Sequence, residues 1–516
     1  MEFRNLTPYP AMAFDALDQH DQRFHVVVMR LTFELQPDGQ LLLAPEQTPL
    51  VTSDEYYGEL NRSSVRQESD LAPYKPHTDV IVVADAHAPQ GRAAREFEVA
   101  IKINGAPVAP ELPPQPYGLN PFQAASPERM AQWRQECARL TEQARQGPLI
   151  FSKTLTITGP REWRKRSALL RALSLFVLPA WKLGTPQAIT TLPLRYEYAY
   201  GGENKILETE PAAARVNKKH RLPGRKPLPE SAPDGDMQKT IAHVVHEHNP
   251  IGLGFAEDWY LRATKTTRIP APQIQALNQP PLRFGEACMP AGLGIVGRSW
   301  QPRLRFAGTY DPQWLEGRHP GLPADFDFAY WNAAPADQQV IPHLDGDETI
   351  TLSNLCPAGA ATAPDAAGNA LLTFALPGHL PFVLVRFEDG RIGELAAKLD
   401  TVIIDVAPTP NSPGKKPSVV CVWRATVACS PDVRVLEARM LSRAEADALR
   451  EAAQDPESPP RQASRTNPCQ PPLERKPCPQ LPARTASSRP SASYPTSARR
   501  RWDRTWCRSR IPSLPT

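Results

Sequence analysis

Three groups of residues in this 516-residue chain have types and spacing that could do chemistry. Gly292-x-Gly294-x-x-Gly297 spells the dinucleotide fingerprint, whose glycines let backbone approach a pyrophosphate seated on a helix N-terminus. That use needs a strand leading in and a helix leading out. Here the lead-in is GEACMPA and the exit is RSWQPRLRF, where Pro302 bars a helix, so the glycines are expected to serve tight turns. His243, His246 and His248, in AHVVHEHNPIG, could offer imidazoles to a metal. The H-E-x-x-H spacing is absent, because Glu247 lies between the wrong pair, and Asn249-Pro250 and Gly252 end any helix. Asp325 and Asp327 flank Phe326 and would face one way on a strand. Such a pair can do acid–base work when one carboxyl is held protonated, although an exposed pair at a strand edge is the plainer reading. No G-x-S-x-G elbow, P-loop or Cys–His arrangement is visible.

A fourth group suits binding rather than catalysis. Trp300, Phe306, Tyr310, Trp314, Phe326, Phe328, Tyr330 and Trp331 fall in the Gly- and Pro-rich segment from Gly294 to Asn354. Aromatics among turns are either core plugs of an irregular β domain or anchors of a protein-binding surface.

The elements that must position these residues read as mostly β. Proline, 59 residues, is about twice its usual share, which works against long helices and coiled coils. Strands are expected over HVVVMRLTFEL (25–35), DVIVVADAHAP (79–89), EFEVAIKI (96–103), FSKTLTITG (151–159), LLTFAL (371–376), PFVLVRFEDGRIGEL (381–395) and TVIIDV (401–406). SVVCVWRATVAC (418–429) reads as the last strand. Asn104-Gly105 and Asp389-Gly390 signal hairpin turns. A helix is expected from Ser126 to Gly147, a short apolar one over 166–181, and a closing one behind the Ser442/Glu445 capping box. The fold class is therefore mainly β with a few helices, an irregular β-rich body of one or two halves. The expected layout is an N-terminal β-rich part (1–204), a polar surface loop (205–240), a C-terminal β-rich part (241–454) and a disordered tail (455–516).

Charge and cysteine usage narrow the class. Residues 455–516 hold 12 Lys and Arg against 4 Asp and Glu, leaving 47 against 51 in the rest, so the body is mildly acidic. No basic face for nucleic acid is evident. The tail, with 13 prolines, cannot bury enough apolar surface to fold. It is either a basic arm for an acidic partner or a frameshifted read of a GC-rich gene. Cys137, Cys288, Cys356, Cys421 and Cys429 are scattered without a C-x-x-C pair, as in a reducing compartment. No stretch reaches the ~18 apolar residues of a membrane span, and the first residues lack a signal-peptide pattern. The expectation is a soluble cytoplasmic protein with no cofactor, no metal and no membrane or nucleic-acid partner.

Several stretches together carry a family resemblance. These are VVVMRLTFEL, DEYYGE (54–59), SDLAPYKPHTDVIVVADAHAP (69–89) with its Lys75-Pro76-x-Thr78-Asp79-Val80 core, KTLTITGPREW (153–163), LPLRYEYAYGG (192–202), NPIGLGF (249–255) and residues 292–339. GDETITLSNL (346–355), LDTVIID and VWRATV come after them in order. Over roughly residues 1–430 the chain resembles a bacterial family of unknown function associated with type VI secretion, whose members are effector adaptors or chaperones. The resemblance implies a non-catalytic protein that binds a cognate effector, often one with a proline-alanine-alanine-arginine (PAAR)-like domain, and loads it onto the valine-glycine-repeat spike. The interface residues expected on this reading are Trp300, Tyr310, Trp314, Tyr330, Trp331 and Phe176. The rival readings are a hydrolase using Asp325/Asp327 or the His243/His246/His248 cluster, and a protein that is itself a secreted effector.

Overall fold

The structure, a computed structural model, describes residues 1–117, 126–167, 178–224, 226, 240–281, 283–286, 288–357, 363–407, 416–446 and 448. The core of the expected 166–181 helix, Phe176 with it, and the 455–516 tail lie outside the described residues. Trp181, at the end of that expected helix, sits instead in a strand, Trp181–Leu183.

The architecture follows from strands that are apolar on one face or on both. The main sheet runs Ala11–Leu17, Arg23–Leu35, Ser418–Ala428, Lys398–Asp405, Thr78–Val83 and Gln339–Val340, with Leu41–Leu43 paired to the long strand. Its one parallel pairing, Val80 opposite Val402 and Ile81 opposite Ile403, joins Thr78–Val83 to Lys398–Asp405. Residues His25 to Phe33 are buried without interruption, as expected of a strand covered on both faces. One face packs Leu31, Phe33, Val80, Val82 and Val402 against a six-stranded sheet through Phe97, Val99, Ile101, Ile103, Leu155 and Ile157. The alternation in Glu96–Asn104 supplies that inner face. Farther along the same face, Val27, Met29, Ala425 and Val427 meet Val383, Val385 and Leu436 of a four-stranded sheet, while the other face packs Val28, Ile81, Val83, Ile403 and Val420 against Ile295, Ala333 and Ala334. Strands from both ends of the chain share sheets, Glu2–Asn5 pairing parallel to Val433–Leu441.

Three expectations are corrected. Val433–Leu441, not 418–429, is the last strand described. The sequence VRVLEARML reads as helical because Leu, Glu, Ala and Arg favour helices, but its buried Glu437 is held across the sheet by Arg386 at 2.7 Å. Asn104-Gly105 is not a tight hairpin. The strands on either side do pair, Ile101 opposite Lys153, yet residues 105–148 with the Pro127–Gln146 helix intervene, because the proline-rich segment after Gly105 cannot donate ladder bonds. Within 205–240, Ala213 and Val216 are buried against Ile206, Ile241 and Trp259, so part of this polar segment closes a small core. Asp389-Gly390 does turn its hairpin, with Gly390 at φ +85°, and Ser126 caps its helix. The molecule is β-rich with several sheets, and no described helix is long and apolar enough to cross a membrane.

Candidate functional site

The aromatic segment is irregular chain pinned by buried charge. Arg303 is almost fully buried. It donates to Glu68 at 2.5 Å, to the Val296 carbonyl at 2.7 Å and to the Tyr330 carbonyl at 2.9 Å. Arg298 reaches Glu68 at 3.4 Å and Asp54 at 3.0 Å. The Arg298 guanidinium lies over the ring of Trp331 and that of Arg303 over Tyr330. Burial alone would push the Glu68 carboxyl up, but Arg303 and Arg298 more than offset it and hold it below its ordinary value.

The five expected interface residues that are described have different fates. Trp300 is 5% exposed and packs edge-on against Tyr196 at 5.4 Å, which makes it core. Tyr330 and Trp331 are half-buried in a chain of rings that continues through Phe326 and Phe328. Tyr310 is 46% exposed and lies 4.7 Å from Trp314, whose Nε1 donates to the Gly321 carbonyl. Tyr310 is thus the ring of the five that faces outward, with Trp314 half-buried behind it. Tyr310→Ala is expected to shift unfolding stability by no more than about 0.5 kcal/mol in urea titration, as an exposed side chain should; a larger loss would return the ring to the core.

The residues considered for catalysis are engaged elsewhere. Gly292 and Gly297 run flush against aromatic rings: a Cβ would stand 2.9 Å from Tyr196 and 2.8 Å from Trp300. The chain beyond these glycines makes a single 3-10 turn, Arg303–Phe306, so the fingerprint lacks its helix. Asp325 and Asp327 are not on a strand. Asp325 accepts from the Thr309 hydroxyl and amide, which hold its carboxyl below the ordinary value, and Asp327 caps the Phe328–Trp331 turn through the Ala329 amide. His243 pairs with Glu203 at 2.8 Å. His246 packs on Tyr200 and Phe255, where burial, then the neighbouring His248, lowers its pKa. Among the described residues no three His, Cys, Asp or Glu side chains converge on a metal position.

Two constellations escaped the sequence. One is a groove of about 570 Å³ lined by Arg161, Glu162, Arg164, Lys182, Gln187 and Arg268 among others. Its floor is a three-stranded sheet in which Arg164 stands directly opposite both Lys182 and Arg268. Like charges facing across a sheet cost stability. Glu162, 3.5 Å from Arg164, is the acid lining this cavity. Arg161 adds buried Nε and Nη2 atoms without hydrogen-bond partners, and desolvation, only partly opposed by Glu96, lowers its pKa. On the opposite side of this sheet Trp163, Ile269 and Leu183 form a small apolar core, so the strands are fixed from behind while the cations face the groove. The other is a Cys–His contact. The sequence showed no such arrangement, yet Cys429 Sγ lies 3.3 Å from His25 Nε2, a contact between residues separated by most of the chain.

In the Lys75-Pro76-x-Thr78-Asp79-Val80 core, Lys75, Thr78, Asp79 and Val80 are buried. Lys75 Nζ donates to Asp79 at 2.8 Å and to Thr401 at 2.9 Å. Asp79, with no exposed surface, also accepts from Asn332 Nδ2 and from the Ala333 and Ala334 amides. Thr78 donates to the Leu399 carbonyl. The motif ties the main sheet to the end of the aromatic segment.

Residues 20–412 match the family described as "Uncharacterized protein conserved in bacteria (DUF2169)". The chain belongs to this family. The DUF2169 match takes in the Lys75–Asp79 core, the basic groove and the aromatic segment, and it ends before the Ser418–Ala428 strand that sits in the middle of the main sheet. No curated protein and no solved structure shows significant similarity to the chain.

Proposed function

We propose that this DUF2169 protein is an adaptor or chaperone that binds a type VI secretion effector in the cytoplasm and helps load it onto the valine-glycine-repeat spike. The observation that carries the reading is the row Lys182–Arg164–Arg268 in an open groove. A row of like charges in a mildly acidic body weakens the sheet that bears it, and a partner's complementary charge gives it a use. The exposed Tyr310 ring, backed by Trp314, offers the kind of aromatic contact on which interfaces concentrate their binding energy. The ordered stretches shared with the adaptor family, Lys75 to Val80 foremost, give the partner class. The hydrolase rival has less behind it, since Asp325, Asp327 and His243 spend their polar atoms on turns and on Glu203.

The test is genetic. Deleting the gene is expected to remove the cognate effector from the secreted fraction while the spike protein is still exported. Complementation with Arg164→Glu/Arg268→Glu should restore about a tenth of the effector or less, because complementary charge governs association and specificity. Full restoration by the double variant would dissociate the groove from the function, and unchanged secretion in the deletion strain would end the adaptor reading.

A further inference from the structure

The contact at Cys429 extends into a relay of three side chains. Asp15 and His25 are register partners on the adjacent strands Ala11–Leu17 and Arg23–Leu35. His25 in turn lies beside Val427 of Ser418–Ala428, and Cys429 comes directly after that strand. Three neighbouring strands thus bring together residues from both ends of the chain. His25 Nδ1 is 2.6 Å from Asp15 Oδ1 and its Nε2 is 3.3 Å from Cys429 Sγ. A carboxylate can only accept, so Nδ1 carries the proton and Nε2 presents its lone pair to the thiol. The imidazole is 3% exposed and so is held in place. The Asp15 side chain is 40% exposed, and Cys429 is only partly buried. Arg23 stands over the same corner, 3.3 Å from Asp15, and interaction first with Cys429 and then with Asp15 raises its pKa. Nucleophile, base, orienting carboxylate and a nearby cation are the parts that activate a thiol.

We infer that Cys429 is an activated thiol, a covalent-modification site for small soft electrophiles, with His25 as its base and Asp15 as the group that orients the base. In the step, the Sγ–H proton passes to His25 Nε2 and the sulfur lone pair attacks the electrophilic carbon. The S–C bond forms as the carbon–leaving-group bond breaks, and the leaving group departs with that electron pair. His25 then returns its proton to solvent. The site lies apart from the basic groove, and Asp15 and Cys429 both fall outside the family match. It stands independently of the adaptor reading.

The probe is iodoacetamide on the reduced full chain, with mass spectrometry reading the rate at each cysteine from pH 5.5 to 9. Cys137, also partly exposed, serves as the internal reference, and Cys356 and Cys421, which are buried, report on intact folding. A free thiol titrates near ~8.5 and loses rate about tenfold per pH unit below that. Cys429 is expected to react at least about tenfold faster than Cys137 at pH 6.5, because His25 Nε2 stands at the thiol to take its proton. Asp15→Asn, at a half-exposed position that should not disturb folding, is expected to cut the Cys429 rate by about tenfold while leaving Cys137 unchanged. His25→Gln should bring the Cys429 rate at pH 6.5 down to that of Cys137. Equal rates at Cys429 and Cys137 in the wild-type chain, or a Cys429 rate untouched by Asp15→Asn, would overturn the inference.

Discussion

Asp79→Ala is expected to destabilise the protein by about 3–5 kcal/mol, the range for removing one partner of a buried ion pair. The carboxylate has no exposed surface, and it receives Lys75 Nζ, Asn332 Nδ2 and the Ala333 and Ala334 amides at 2.8–3.1 Å. Truncation leaves a buried ammonium uncompensated and buried amides without an acceptor, and the desolvation of these orphaned groups is what the loss reflects. Urea unfolding followed by tryptophan fluorescence reads the loss. Lys75→Met/Asp79→Leu, which removes both charges together, should recover part of it, since apolar replacement of a whole buried pair is tolerated better than halving it. A loss below about 1 kcal/mol for Asp79→Ala would mean that this carboxylate does not organise the junction between main sheet and aromatic segment.

Arg303→Ala carries the second large effect, again about 3–5 kcal/mol, and its pH dependence identifies the cause. In the wild-type protein Glu68 is depressed below its ordinary value by Arg303 and Arg298 in spite of burial. A depressed carboxyl stabilises the fold at pH above its unfolded value of ~4.3, and that contribution fades as pH falls through the folded value. Without Arg303, burial dominates and the Glu68 carboxyl moves up. The variant then bears a buried charge at pH 7 that protonation relieves toward pH 5. The stability gap between wild type and Arg303→Ala should therefore shrink on going from pH 7 to pH 5. A gap that is constant or widens would assign the loss to packing against Tyr330 rather than to the stranded carboxylate.

These two sites show where the sequence was informative. Strands with a clear pattern were legible: the run from His25 to Phe33 is apolar enough to declare itself buried on both faces, and the alternation of Phe97, Val99, Ile101 and Ile103 marks a half-buried strand. Caps were legible too, since Ser126 and the Ser442–Glu445 pair act within a few residues of chain. Local signals failed where a partner far along the chain decides the outcome. Val433–Leu441 is a strand because Leu380–Phe387 and Glu2–Asn5 flank it, against its own helical composition. Arg303 and Glu68, and equally Cys429 and His25, meet only through the sheet order, so no spacing rule could join them. The groove cations were invisible for the same reason, because Arg164, Lys182 and Arg268 become neighbours through three-strand register alone. Composition did point to the aromatic segment, but it could not divide it into core, as with Trp300, and outward surface, as with Tyr310.

The most direct measurement of the adaptor reading is a pull-down of the tagged full chain from a lysate of its native cells, run beside Arg164→Glu/Arg268→Glu and read by mass spectrometry. The expected result is one dominant partner bearing a PAAR-like or toxin domain, accompanied by the valine-glycine-repeat spike protein, with both depleted in the double variant. A wild-type chain that emerges without partners, or partners retained equally by the variant, would contradict the reading.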